Sequence, residues 1–444
     1  MLQGIALIDE FEKRLDSFDA FERRQALEAL KEEATSGQIA LPKAGQEVNL
    51  HCHTFFSYNC YGYSPSKIAW LGRKRGMAVA GIVDFDVLDG LDEFFDAASL
   101  IGLKGCGGFE TRVFVPEFAK SVINSPGEPG IAYHSASGMP SAKLSDAQTL
   151  FINRLRNISS TRNTDLIQRV NEYLKPVVLD YEKEVLSLTP SGNATERHIC
   201  LAYARKAQNL FAERKQLADF WSEKLKIDVS SPDLPEGQKL LDTIRSRTMK
   251  QGSVGYVQPD KGAFPTMQEV NQFIAEAGGI PTLPWLNGTS QAEQQIERLL
   301  DVVMKSGVAA INIVPARNIT SDEKIDNFKR TVQLADKLGL PIIVGTEMNR
   351  PGQSFVDDFE SKALSSLADV FLRGAYIVYG HTVLQRAAGL GYLSEWAESN
   401  FKYTAEKNEF YEQFGRLFSP GQEYRLVHLQ KDIKPEELLK LTGD

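Results

Sequence analysis

Apolar and polar residues alternate with changing period along the chain. Over residues 1–37, Ile8, Phe11, Leu15, Phe18, Phe21 and Leu27 recur near helical spacing among acids and bases, which predicts one or two surface helices. Gly37 and Pro42 punctuate the exit. Val48-Asn49-Leu50 then predicts a short strand ending in His51-Cys52-His53. Residues 65–76 predict a helix, with Ser64 as its cap, Pro65 in its first turn and Gly76 as its stop. The nearly continuous apolar run 77–83 predicts a buried parallel strand, followed at once by Asp84. A helix over 90–100, a strand over 103–109 leading into Glu110, and a strand over 131–133 leading into His134 complete the first half.

The same alternation returns late. Helices are predicted over 270–277, 292–305 and 322–338, and strands over 280–283, 308–314 and 341–344, the last leading into Gly345-Thr346-Glu347. Strands alternating with helices imply parallel β/α units, and polar residues placed just after strand ends imply chemistry on that face of a barrel. Between them, residues 141–255 read as helical and hold 18 Lys+Arg against 14 Asp+Glu. That stretch reads either as an insertion lying over the strand ends like a lid or as a helical side domain with a solvated face. The expected division is an N-terminal helical extension (1–46), a first barrel part (47–140), the insertion (141–255), a second barrel part (256–355) and a C-terminal extension (356–444) in which no motif stands out.

Composition narrows the function. The 444 residues are 42% hydrophobic and 24% charged, as expected of a globular chain with a large core. A net charge of -8 disfavours a nucleic-acid polymer as the partner. The chain shows no apolar run long enough for a membrane helix, and 1–14 does not read as a signal peptide. Four cysteines in so long a chain point to reduced thiols and a cytoplasmic setting. No phosphate-binding or dinucleotide glycine motif occurs.

The candidate chemistry starts from six histidines. His51 and His53 stand two apart at a strand end, so their rings point to one side and can share a divalent ion. Asp84, Glu110, His134 and Glu347 end other predicted strands, and on a closed barrel those ends converge. Strand-end acids also cap neighbouring backbone, the plainer reading for Asp84 and Asp86 taken singly. Cys52 points away from both histidines by alternation and is not expected to act as a nucleophile. His381 and His428 are expected to be structural or exposed.

The stretch from "VNLHCHTFFSYN" to "GIVDFDVLDG" resembles the opening of the PHP (polymerase and histidinol phosphatase) superfamily. "GCGGFET" around Glu110, "GIAYHSAS" around His134, "AEAGGIPTLPW" and "GTEMNRPGQ" are similar to its later motifs, and "GNATERHICLAYARK" with "GSVGYVQPD" is similar to the insertion of its nucleotide-phosphatase branch. The resemblance spans roughly residues 47–355. It implies a distorted (β/α)7 TIM-like barrel with a helical insertion and with metal at the C-terminal strand ends. Carried over residue by residue, it implies a first ion held by His51, His53, Glu110 and Glu347, and a second that keeps Glu110 and His134. Phe85, Trp285 and Asn349 stand where the family has histidines, and Ser57, Tyr58 and Asn59 stand where it has a further ligand. Asp84 and His134 are then candidates for a general base or for orienting a ligand. His198 and Arg197, on the insertion, are candidates for gripping a substrate phosphate. Lys261 and Arg317 follow loops that should border the mouth and are candidates for substrate contact.

The expected function is hydrolysis of a small phosphomonoester, nucleotide-like or another metabolite, with one or two divalent ions, Mn, Zn or Fe rather than Mg. The alternative is a non-catalytic metal- or metabolite-binding protein with a degenerate site. A nuclease or polymerase-associated module is the third reading, disfavoured by charge. The terminal extensions leave a homodimer open.

Overall fold

The computed structural model describes residues 2–227, 234–259, 262–430 and 432–443. Two N-terminal helices, α1 (Leu2–Arg14) and α2 (Ala20–Thr35), precede the alternating unit β1 (Val48–Cys52), α3 (Pro65–Arg75), β2 (Val79–Phe85), α4 (Leu91–Ile101), β3 (Gly105–Phe114) and β4 (Ile131–Ser137). The insertion follows as α5 (Asp146–Leu174), α6 (Glu196–Leu210), α7 (Arg214–Leu225) and α8 (Gly237–Thr248). The barrel resumes with α9 (Met267–Glu276), β5 (Ile280–Trp285), α10 (Ile296–Lys305), β6 (Ala310–Ile313), the short α11 (Pro315–Asn318), α12 (Asp322–Lys337) and β7 (Ile342–Val344). The tail contributes α13 (Ala368–Ala388), α14 (Glu395–Asn400), α15 (Thr404–Leu417) and α16 (Pro435–Lys440).

Local chemistry sets the element ends. The Ser64 hydroxyl accepts from the Lys67 N–H at 3.0 Å, Pro65 opens α3, and Gly76 closes it at φ 74°. Thr266 and Glu269 form a reciprocal capping box at α9.

The seven strands form one sheet in sequence order. The Glu347 N–H donates to the His51 carbonyl at 2.7 Å and the His53 N–H to the Glu347 carbonyl at 2.9 Å, which nearly closes the sheet into a barrel. Gly345 permits this contact, because a Cβ there would lie 2.4 Å from that of His51.

One expectation is corrected. β4 runs antiparallel to both β3 and β5, so the sheet is not a uniform parallel β/α barrel. The connection from β3 to β4, residues 115–130, holds only the single turn Pro116–Phe118 and no helix of the kind that usually carries a chain back for a parallel pairing.

The insertion has its own apolar core, including Trp221, Tyr203, Ile199 and Ile244. It lies over the strand ends, where the Asn193 amide donates to the carbonyls of Phe56 (3.2 Å) and Phe85 (2.7 Å). The tail is built into the opposite end of the barrel. α13 is buried along most of its length, and His381 donates from Nε2 to the Gly138 carbonyl at 2.9 Å while its Nδ1 accepts from the Tyr392 N–H. Gly374 of α13 packs against the Ile342 backbone, where a Cβ would lie 2.1 Å from the carbonyl oxygen. His428 is exposed. No helix among the described residues is long and apolar enough to cross a membrane.

The closure gives a prediction. Gly345→Ala forces β7 away from β1 and costs about 1–3 kcal/mol or more of stability. Thermal unfolding beside wild type reads this as a lowered midpoint; an unchanged midpoint contradicts the close approach.

Candidate metal centre and substrate cavity

A cavity of about 880 Å³ lies between the barrel mouth and the insertion. His51 and His53 stand at its base on β1 and just beyond, with ring centroids 5.3 Å apart. Each ring is oriented by a partner on Nδ1. His51 Nδ1 meets the Asn312 side-chain oxygen at 2.9 Å. An amide oxygen only accepts, so Nδ1 carries the proton and Nε2 presents a lone pair. His53 Nδ1 meets the Ser57 hydroxyl at 3.1 Å, and that hydroxyl donates its one proton to Asp84 at 2.6 Å. Ser57 must therefore accept from His53, which again frees Nε2.

Both Nε2 atoms face Glu110, at 3.9 Å for His51 and 3.6 Å for His53. The three side chains form a buried group whose ligand atoms lie within 4.8 Å of one another. His51 Nε2 has no hydrogen-bond partner among the described residues. Burial, and then the neighbouring His51, push His53 down to about 3, and burial lowers His51 too, so both rings are neutral. Burial and the nearby Glu347 push the Glu110 carboxyl well above its usual range. Two neutral imidazole lone pairs and a desolvated carboxylate that makes no Lys or Arg ion pair among the described residues fit a divalent metal ion.

Glu347 follows β7 at φ 62°, and Met348 follows at 56°, two consecutive left-handed residues that are not glycine. The Glu347 Oε2 accepts from Arg317 at 2.5 Å and from the Asn349 amide at 3.1 Å. Burial alone would raise this carboxyl, but the Arg317 guanidinium holds it at about 2. Glu347 lines the same cavity but is outside the cluster of three.

The other expected residues are placed as follows. Asp84 accepts from the Thr54 N–H, the Thr54 hydroxyl and Ser57, so it braces the loop after β1 and does not line the cavity. Its burial raises it to about 6. The strand-end acid that does line the cavity is Asp86, which accepts from Thr111 at 2.6 Å and which burial also raises to about 6. His134 is corrected as well. It sits in the middle of the antiparallel β4, where Tyr133 lines the cavity and His134 turns to Asn271 of α9 at 2.5 Å. A one-residue step on a strand changes the face, so His134 is not with the other ligands.

His198 accepts from the Thr195 N–H on Nδ1 at 3.1 Å and packs edge-on against Tyr58, so it caps its own helix and does not line the cavity. Arg197 does line it, paired with Asp242 at 3.2 Å. Arg317 lines it too. Lys261 lies outside the described residues. Phe85 stacks on His53 with centroids 6.0 Å apart, and Trp285 leans on Phe328 with no hydrogen-bond partner for its Nε1 among the described residues. Cys52 is buried in the apolar core, and burial pushes its thiol up to about 12.

Sequence reasoning missed Asn312, Ser57 as a brace for His53, and the basic wall of Arg112, Arg162, Arg245 and Lys250. Asn312 left a signal, a polar residue inside the otherwise apolar β6. Arg112 left one as well, two places after Glu110 on the same strand. Arg162 on α5, Arg245 on α8 and Lys250 just past the end of α8 lie far in sequence from the strand ends and left none.

Asn312→Ala and Ser57→Ala should each weaken cobalt(II) binding about 10–100-fold by calorimetry, because each removes the group that fixes a ring tautomer. Affinities equal to wild type would show that these bonds do not organise the ligands.

No family model matches the chain, and no curated protein matches it. Solved structures similar to it include the following two. One is an amidohydrolase from Chromobacterium violaceum with bound sulfate and no metal, 17% identical, covering 70% of this chain and 91% of its own, at a TM-score of 0.48. The other is described as a metal-dependent phosphoesterase from Bifidobacterium adolescentis, 16% identical, covering 74% of this chain and 97% of its own, also at 0.48. At that identity and overlap neither likeness decides the chemistry, which rests on the side chains.

Proposed function

We propose that the chain is a metal-dependent phosphoesterase that hydrolyses a small phosphomonoester, nucleotide-like or another metabolite. The observation that carries this reading is the convergence of two histidine Nε2 lone pairs on Glu110 at the base of a cavity walled by arginines. His51, His53 and Glu110 would hold the ion, and the nitrogen donors favour Mn, Zn or Fe over Mg. A bound divalent ion supplies Lewis acidity toward a phosphoryl oxygen and acidifies its water.

The chain's own groups do the rest. Asn312 and Ser57 fix the tautomers and aim the imidazoles, and burial keeps the rings neutral. The far wall carries Arg112 paired with Glu128, Arg197 paired with Asp242, and Arg245 and Lys250 sharing Glu196, with Arg162 beside them, so it keeps a cationic excess that suits an anionic substrate. Asp86 lines the same cavity and is held by the Thr111 hydroxyl, and burial raises its carboxyl to about 6, which suits proton exchange with a bound substrate. The volume of about 880 Å³ is far larger than one phosphate needs and lies within the range of small-molecule sites.

A second reading, a non-catalytic binding protein, is favoured by a specific observation. Phe85 and Trp285 line the cavity as apolar wall, and no second group of three ligands exists among the described residues.

A panel of p-nitrophenyl phosphate, nucleoside monophosphates and sugar phosphates separates the two. The first reading predicts turnover with Mn or Zn supplied, abolished by chelator and reduced roughly a hundredfold or more in His51→Ala. Tight ligand binding with no product, or hydrolysis unchanged in His51→Ala, would overturn it.

A further inference from the structure

Ligands about 2.1 Å from a common ion lie no more than about 4.2 Å from one another. Glu347 falls outside the group that meets even a looser limit of 4.8 Å. Of its two carboxylate oxygens, Oε2 is already taken by two donors, Arg317 Nη2 at 2.5 Å and Asn349 Nδ2 at 3.1 Å. The backbone around it is equally fixed. Its N–H and carbonyl close the barrel against His51 and His53, and its φ of 62° turns it out of the line of β7.

Arg317 is held as firmly. It sits on the one-turn α11, opened by Pro315. Asn318 ties that turn to the Leu286 carbonyl at 3.1 Å and to the Val314 carbonyl at 2.9 Å. The Arg317 side chain is 29% exposed and lines the cavity, and no other side-chain hydrogen bond holds it among the described residues. One guanidinium nitrogen is therefore spent on Glu347, and the side chain lies close enough to His51 and Glu110 to act on both electrostatically. A carboxylate that holds one side of a guanidinium leaves a planar, pre-oriented donor for an oxyanion on the other.

We propose that Glu347 is not a metal ligand in this chain but the anchor of Arg317, which presents its remaining N–H groups to a phosphoryl oxygen of a substrate bound beside the ion of His51, His53 and Glu110. This rests on the metal-dependent reading above. It makes the centre a two-histidine, one-carboxylate site with its open side toward the cavity, and Arg317 the residue that selects an anion there.

The test uses the full chain freed of metal. Cobalt(II) is titrated into wild type, Glu347→Gln, Arg317→Gln, Arg317→Lys and Glu110→Gln, followed by calorimetry and by the visible spectrum of the bound ion. Inorganic phosphate is then titrated into each cobalt-loaded protein. Glu347→Gln and Arg317→Gln should keep cobalt affinity within about threefold and keep the wild-type spectrum, whereas Glu110→Gln should lose about a hundredfold or more. Phosphate affinity should fall about 10–100-fold in Arg317→Gln, with partial rescue in Arg317→Lys. Because Arg317→Gln leaves the barrel closure untouched, it decides the matter even if Glu347→Gln fails to fold. Cobalt lost in Glu347→Gln as in Glu110→Gln, or phosphate bound equally by Arg317→Gln and wild type, overturns the anchor. Failure of wild type to bind cobalt overturns the metal-dependent reading and the anchor with it.

Discussion

The site depends on one close approach, the contact of the end of β7 with β1. Gly345 lets the two backbones meet, and the two hydrogen bonds between Glu347 and the His51–His53 segment hold them there. The same contact fixes both histidines in space and turns Glu347 into a left-handed conformation that a side-chain residue adopts only under constraint. Fold closure and site geometry are thus one event. A change that loosens the barrel at this seam disturbs stability and ligation together.

A second constraint is electrostatic. Glu110 and Glu347 are buried near one another at the bottom of the cavity, and two desolvated carboxylates repel. The chain answers differently for each. Glu347 receives the Arg317 guanidinium. Among the described residues Glu110 makes no ion pair with a lysine or arginine; two neutral imidazoles face it with their lone pairs. A buried acid without a cation beside two oriented nitrogen lone pairs is a site that gains most from an external dication. That asymmetry, more than any motif, separates a metal centre from a structural ion-pair network.

Much of this was legible in the sequence, and the failures share a cause. Strands at 77–83, 280–283 and 341–344 and helices at 65–76 and 322–338 were readable because apolar runs and caps are local. His51 and His53 were readable because strand alternation is local too. The antiparallel turn of β4 depends on what the 115–130 connection lacks, and with it went the placement of His134. Asp84 and Asp86 are two residues apart, but only their non-local partners, Thr54 and Ser57 for one and Thr111 for the other, show which faces the cavity. α13 was hidden for a different reason. It is apolar nearly all round and lacks the polar stripe that marks a surface helix, and its glycines are packing contacts rather than breaks.

The most direct test of the account is the metal content of the purified chain by inductively coupled plasma mass spectrometry, wild type beside His53→Ala. Three converging ligands predict roughly one transition-metal ion per wild-type chain and essentially none in the variant. Wild type that stays metal-free after reconstitution, or a variant that retains the ion, would contradict it.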